Sequence, residues 1–193
     1  MSVDSVEVKI IEAAIACIEE FGLSGATNRR IAERAGVNLA AINYYFRSKD
    51  NLIDKVMETT LNNAFDWTDI EQLPGRTAKE RCTAIFDHLI KGGCDYPGIT
   101  RAHFNDLFVS GNYNSLMTKK YNEFMSKLLD DLETRGAGLS REKLKLACTQ
   151  IAQACFMSAL APQINTPATG IDMRDPETRW LFVSSLADKL LEN

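Results

Sequence analysis

Proline occurs only five times in 193 residues, so long structureless linkers are not expected. Histidine occurs twice, which leaves little material for a metal centre. The five cysteines are an odd number at irregular spacings, which argues against a secreted disulfide framework. Apolar runs are short: "AAIACI" is typical, against the roughly 20 residues that a membrane-spanning helix needs. The opening "MSVDSVEVK" lacks the basic start and apolar core of a signal peptide. A cytoplasmic protein with reduced thiols, no cofactor and no membrane partner is therefore expected. The alternation of a strand and a glycine-rich phosphate loop are both missing. What is present is 45% hydrophobic and 25% charged, an ordinary globular composition. The length suits one domain, or a small domain attached to a larger one.

Positive charge is also short overall, with 22 basic against 26 acidic residues and a net charge of −4. It is not evenly short. Residues 27–55 hold Arg29, Arg30, Arg34, Arg47, Lys49 and Lys55 against Glu33, Asp50 and Asp54. That window is +3, which leaves −7 on the rest of the chain. An acidic body with one basic segment points to an anionic partner touching one patch.

The periodicity predicts helices throughout, an all-α fold. Residues 5–21 carry Ile11, Ala14, Ile15 and Ile18 on one stripe, and Gly22 ends that helix. Thr27 is an N-cap for the short helix "NRRIAERA", which Gly36 ends. Asn38 caps "LAAINYYF", and Ser48 caps a fourth helix with Leu52, Ile53, Val56, Met57 and Leu61 on its buried side. Longer helices are expected near 77–91, 98–110, 114–135, 140–162 and 176–192. The stretch "PQINTPATGIDMRDP" reads as one long loop, and Asp175-Pro176 as a helix start.

The second and third helices with their glycine turn read as a helix-turn-helix. Ile42 and Phe46, four residues apart, face inward. Ala40, Ala41, Asn43, Tyr44 and Arg47 are left on the other side. The alanines permit close approach and offer methyl groups, Asn43 matches an adenine edge, and tyrosine hydroxyls suit phosphates. Lys49 in the first turn of a helix opposes the helix dipole, which an external anion would explain. The alternative on pattern alone is a plain three-helix bundle with half-buried tyrosines.

Residues 10–56 resemble the DNA-binding domain of the TetR family of bacterial transcriptional regulators. The resemblance is carried by "IIEAA", Gly22, "TNRRIAERAGVN", "INYYF" and "SKDNL". It implies an all-helical homodimer that binds double-stranded DNA at a palindromic operator. The division it implies is a reading head over residues 1–47 and an effector-binding and dimerisation domain over 48–193. Such proteins are usually repressors released by a small molecule. Carried over by position, Thr27, Asn28 and Arg29 meet phosphate or a base edge, and Asn38 caps and meets phosphate. Leu39, Ala40 and Ala41 lie at the groove floor, Asn43 and Tyr44 read bases or phosphate, and Tyr45 and Lys49 hold the backbone. Leu39 stands where a polar or basic residue is common, and Asn43 where tyrosine is usual.

Beyond residue 66 no comparable motif occurs. Aromatic and thioether side chains suggest an apolar or amphipathic effector, with Phe86, Phe104, Phe108, Tyr121, Phe124 and Met125 as candidate lining. For any single one of them, ordinary core packing is the better explanation. Cys82, His88, Cys94 and His103 match no compact zinc spacing, so no metal is expected. Cys148 and Cys155 share a helix face, which leaves a thiol sensor as an alternative, beside an effector-independent regulator. A cysteine enzyme lacks an oxyanion hole and an orienting third residue, so no catalytic residue is expected. Ile151 and Cys155 on one helix and Trp180, Val183, Ala187 and Leu190 on the last form the expected dimer interface, a four-helix bundle about a two-fold axis.

Overall fold

The computed structural model describes residues 3–191. These form α1 (Val3–Gly25), α2 (Asn28–Ala35), α3 (Leu39–Phe46), α4 (Lys49–Ala64), α5 (Trp67–Glu71), α6 (Ala78–Asp95), α7 (Pro97–Ser110), α8 (Leu116–Thr134), α9 (Arg141–Leu160), α10 (Thr166–Thr169) and α11 (Pro176–Leu190). No strand occurs among the described residues, and no helix of theirs is long and apolar enough to cross a membrane.

The expected caps are made. Thr27 accepts from the Arg30 amide, Asn38 from Ala41, Ser48 from Asn51 and Asp175 from Thr178, and Ser140, outside the expected set, accepts from Lys143. Gly22 adopts φ 71°, a left-handed conformation that breaks the run of α1. Two short helices, α5 and α10, fall outside the expected set. Each has only a turn of periodicity to show, below what a hydrophobic pattern can register. Helix α6 also runs through Gly92-Gly93, where a break was expected. Two glycines cost about 2 kcal/mol of helix propensity, and burial of Cys82, Ile85, Phe86 and Ile90 along the same helix outweighs that.

The chain packs as two compact units, Met1–Asn63 with Tyr96–Met117, and Ala64–Asp95 with Thr118–Asn193. In the first, Ile10, Ala14, Cys17 and Ile18 of α1 meet Ile31 and Ala32 of α2, Ile42 and Phe46 of α3, Leu52 and Val56 of α4, and Ile99 of α7. Helix α7 crosses α1 closely at Gly98. A Cβ there would lie 2.7 Å from the Glu19 Cα and 2.8 Å from the Ile18 carbonyl oxygen. The Glu19 carboxylate caps α7, accepting from the Gly98 amide at 2.9 Å and the Ile99 amide at 2.6 Å. So α4 and α7 share a core with the three N-terminal helices.

Within this unit His103 of α7 meets Thr60 of α4, Nε2 to Oγ1, at 2.9 Å. The Thr60 hydroxyl donates to the Val56 carbonyl at 2.9 Å. Its one proton is thus used, and the ring N–H donates to it. Burial lowers the His103 pKa from 6.5 to about 4. The neutral ring is therefore the folded form. Its contribution is complete above pH 6.5 and is lost as pH falls toward 4, by up to about 3 kcal/mol. His103→Gln should flatten the stability curve between those values, measured by urea titration at several pH values.

The second unit is built on α6, packed against α9 and α11. Its core joins Cys82, Ile85, Phe86, Phe124, Leu128, Leu132, Leu144, Cys148, Ile151, Cys155, Val183 and Ala187. Charge is buried in it too. Arg179 donates to Asp87 at 2.7 Å, and Arg81 and Arg135 share the carboxylate of Asp131 at 3.0 and 3.1 Å.

Candidate nucleic-acid interface

Helix α3 is anchored by burial of Ile42 and Phe46 beneath it. Its far side is open. Leu39 is 49% and Tyr44 is 78% exposed, and Ala40, Asn43 and Arg47 are exposed beside them. At 100° per residue, Leu39, Asn43 and Arg47 form one row and Ala40 and Tyr44 the next. An apolar residue and a tyrosine held this far out on a well-anchored helix are not there to fill a core.

The neighbouring residues aim this face. Tyr45 is half-buried against the core, and its ring meets Tyr44 edge-on at 5.1 Å and 89°. Tyr45 therefore braces Tyr44, with its own ring turned inward. The Asn38 side-chain oxygen accepts from the Ala41 amide at 2.8 Å, and its amide nitrogen is left for an outside acceptor. At the other end the Asn51 amide donates to the Phe46 carbonyl at 2.9 Å, and the Asn51 backbone N–H to Ser48 Oγ at 3.1 Å. Asn51 was not singled out from sequence. Its signal, a Ser-x-x-Asn cap, was legible.

The basic window is less free than its composition suggests. Arg30 donates to the Gly25 carbonyl at 2.8 Å and stacks 4.3 Å over the Phe21 ring. Arg34 pairs with Glu20, and Lys55 with Glu58 at 2.9 Å. Arg29, Arg47 and Lys49 have no acidic partner among the described residues. Arg29 and Lys49 stand in the first turns of α2 and α4, and α2 has no acidic residue there. Both helix N-termini can hold an anion. Asn28 follows the Thr27 cap, and its Oδ1 is buried without a hydrogen-bond partner.

Arg47 has φ 65° and ψ −38°, a conformation that only glycine adopts without strain. Arg47→Gly is expected to stabilise the fold by about 1 kcal/mol, raising the denaturant midpoint. The same change should weaken binding to any duplex and lower the salt slope by about one. Fluorescence anisotropy across a salt series checks the second half.

The other expected residues fall elsewhere. Phe86, Phe124 and Met125 are buried and Tyr121 is half-buried, all four in the second unit. Phe65, Trp67 and Phe86 surround Phe124, with centroids 5.3–6.2 Å away. Phe104 and Phe108 belong to the first unit and stack on each other at 5.8 Å, with Phe108 66% exposed. Of the expected dimer residues, Ile151, Cys155, Val183 and Ala187 are buried against their own unit. Leu190 is half-buried there, and Trp180 is exposed. The exposed apolar side chains of these helices are Leu146 and Met157 on α9 and Trp180 and Leu181 on α11. No cluster able to hold a metal ion occurs among the described residues. Burial raises the Cys148 and Cys155 thiols to about 12, which leaves almost no thiolate at neutral pH.

Residues 10–56 match the family of bacterial regulatory proteins, tetR family. Over 81 residues the chain is 35% identical to the HTH-type transcriptional regulator BetI of Escherichia coli, covering 41% of this chain and 42% of that protein. It thus spans about two fifths of the curated relative's length. Among solved structures, a transcriptional regulator from Pseudomonas aeruginosa PAO1 has a TM-score of 0.72 at 20% identity, over 99% of this chain and 92% of the other. FadR from Bacillus subtilis, solved with stearoyl-CoA, has a TM-score of 0.62 at 20% identity, over 96% and 97%. The two solved structures share the fold, and the family match runs from α1 into α4. The segment that matches the tetR family of bacterial regulatory proteins, residues 10–56, contains α2 and α3 and the exposed outer face of α3.

Proposed function

We propose that this protein is a cytoplasmic, ligand-responsive transcriptional regulator, a homodimeric repressor that leaves its operator when a small apolar or amphipathic molecule binds. The observation that carries the DNA reading is the α3 face: Leu39, Ala40, Asn43 and Tyr44 exposed on a helix pinned from behind by Ile42 and Phe46. Thr27, Asn28 and Arg29 at the start of α2, Asn38 at the start of α3, Tyr45, and Lys49 at the start of α4 frame that face for the phosphate backbone. The functional division is a reading head in residues 1–47 and an effector and dimerisation region in 48–193. The aromatic cluster around Phe86, Tyr121, Phe124 and Met125 favours an apolar effector, and a fold relative solved with stearoyl-CoA is in keeping with that.

Electrophoretic mobility shifts with duplexes from the DNA flanking its own gene test the first part. Specific retention that survives excess random duplex supports it, and uniform weak binding to all duplexes refutes it. Stabilisation on heating with acyl-CoA thioesters, but not with sugars, supports the second.

Dimerisation falls to the surface that the monomer leaves open. Leu146, Gln150, Gln153 and Met157 recur at the helical period on α9, all exposed and uncharged, and Trp180 and Leu181 stand exposed on the neighbouring α11. A second copy related by a two-fold axis can cover both stripes. It would also carry a second α3 to the next half-site, about one helical turn away. Leu181→Glu is expected to give a folded monomer by sedimentation equilibrium, since Leu181 is 68% exposed and its loss opens no cavity. The monomer should also lose operator affinity.

A further inference from the structure

We infer that the base pairs beneath α3 in each half-site are A·T pairs, read through thymine methyl groups by Leu39 and Ala40 and through an adenine edge by Asn43. The inference rests on α3 being the recognition helix and names the sequence class that such a helix selects.

The helix "LAAINYYF" contains no charged side chain. A recognition helix meets base edges chiefly with its N-terminal residues. Here those are Leu39 and Ala40, both exposed, and neither side chain has a donor or an acceptor. The distinguishing apolar group that a base pair offers in the major groove is the thymine methyl. Asn38, just before them, has its side-chain oxygen committed to the Ala41 amide.

One turn on, in the same row as Leu39, lies Asn43. Its exposed amide has no partner among the described residues. A carboxamide offers one donor and one acceptor side by side, which match adenine N7 and N6. Tyr44 presents a single hydroxyl, too little to take guanine O6 and N7 together.

Guanine is ordinarily read by a bidentate arginine or a lysine. The cations nearby are placed elsewhere. Arg30 is held by the Gly25 carbonyl and the Phe21 ring, Arg34 by Glu20 and Lys55 by Glu58. Arg29 and Lys49 sit at the N-termini of α2 and α4, the places a phosphate occupies. Arg47 caps the C-terminal end of α3, two turns from Leu39. A guanine contact is therefore confined to the flank beneath Arg47.

The test is selection of duplexes from a randomised pool by the full-length protein, followed by base-analogue substitution in the winning site. The expected result is a half-site with adjacent A·T pairs at its centre. Uracil in place of thymine there should lower affinity about fourfold, the worth of one buried methyl group. At one adenine, 7-deazaadenine should lower it about tenfold for the wild type and not at all for Asn43→Ala. Leu39→Arg should move enrichment at one position to guanine. Guanine at the centre of the half-site, with N7 methylation there blocking binding, would overturn the inference while leaving DNA recognition intact. A folded protein that enriches no motif defeats DNA recognition and this inference together.

Discussion

Asn43→Ala and Tyr44→Ala are each expected to weaken specific operator binding by about 1–3 kcal/mol, which is roughly five- to 150-fold in Kd. The two side chains lie in adjacent rows of one exposed face, so their losses should add only approximately when combined. Neither substitution should disturb the fold. Tyr44 is 78% exposed, and the residues that bury α3 are Ile42 and Phe46. Circular dichroism and thermal midpoints should therefore match the wild type. Lys49→Ala makes the contrast, because a phosphate contact carries no sequence information. It should weaken specific and random duplexes alike and lower the salt slope by about one. Unchanged operator affinity in both Asn43→Ala and Tyr44→Ala, in a titration at fixed salt, would remove α3 from the interface.

The largest expected loss of stability follows from Asp131→Ala. Asp131 of α8 holds two arginines, Arg81 of α6 and Arg135 in the turn just after α8. Arg81 donates to it through Nε at 3.0 Å and Arg135 through Nε at 3.1 Å. Each arginine also binds the loop before α6, Arg81 the Leu73 carbonyl and Arg135 the Gly75 carbonyl at 2.7 Å. Gly75 itself has φ 131°, and a Cβ there would come within 2.6 Å of the Arg81 backbone. The Arg81 side chain is 1% exposed, and its Nη2 already lacks a partner. Without the carboxylate a buried cation keeps only one carbonyl. Removal of one partner from a buried pair costs about 3–5 kcal/mol, or very roughly 6–20 °C in Tm for a chain of this size. Arg141 provides the contrast. Its pairs with Asp130 and Glu133 lie in solvent, and Arg141→Ala should leave the midpoint almost unmoved. Equal midpoints for Asp131→Ala and Arg141→Ala would show that the buried network contributes nothing.

The N-terminal helices were almost fully legible in the sequence. Thr27, Asn38, Gly22 and Gly36 act through bonds to residues three to five positions away, and caps are local by nature. The inward pair Ile42 and Phe46 follows from a four-residue spacing alone. Tertiary contacts decide how the side chains around the α3 face are held. Tyr45 braces Tyr44 because a core lies behind it, and Arg30 and Arg34 are drawn off by Gly25, Phe21 and Glu20. None of these engagements changes the composition of the window, so a charge count could not see them.

The second half was legible only as helices. Its helical period is set by the chain itself, but which side of a helix is covered depends on what else packs there. Ile151, Cys155, Val183 and Ala187 have the pattern of an interface and are filled by their own unit, whereas Leu146, Met157 and Leu181 stand outside it. The charges buried with Asp131 come from residues 81, 131 and 135, and no local pattern joins the first to the others. The sequence by itself determined the all-helical class, the caps and the outward row of α3, because these depend on neighbours a turn or two away. Tertiary structure decided which apolar faces remain open and which charges are buried, because both depend on segments brought together from tens of residues apart.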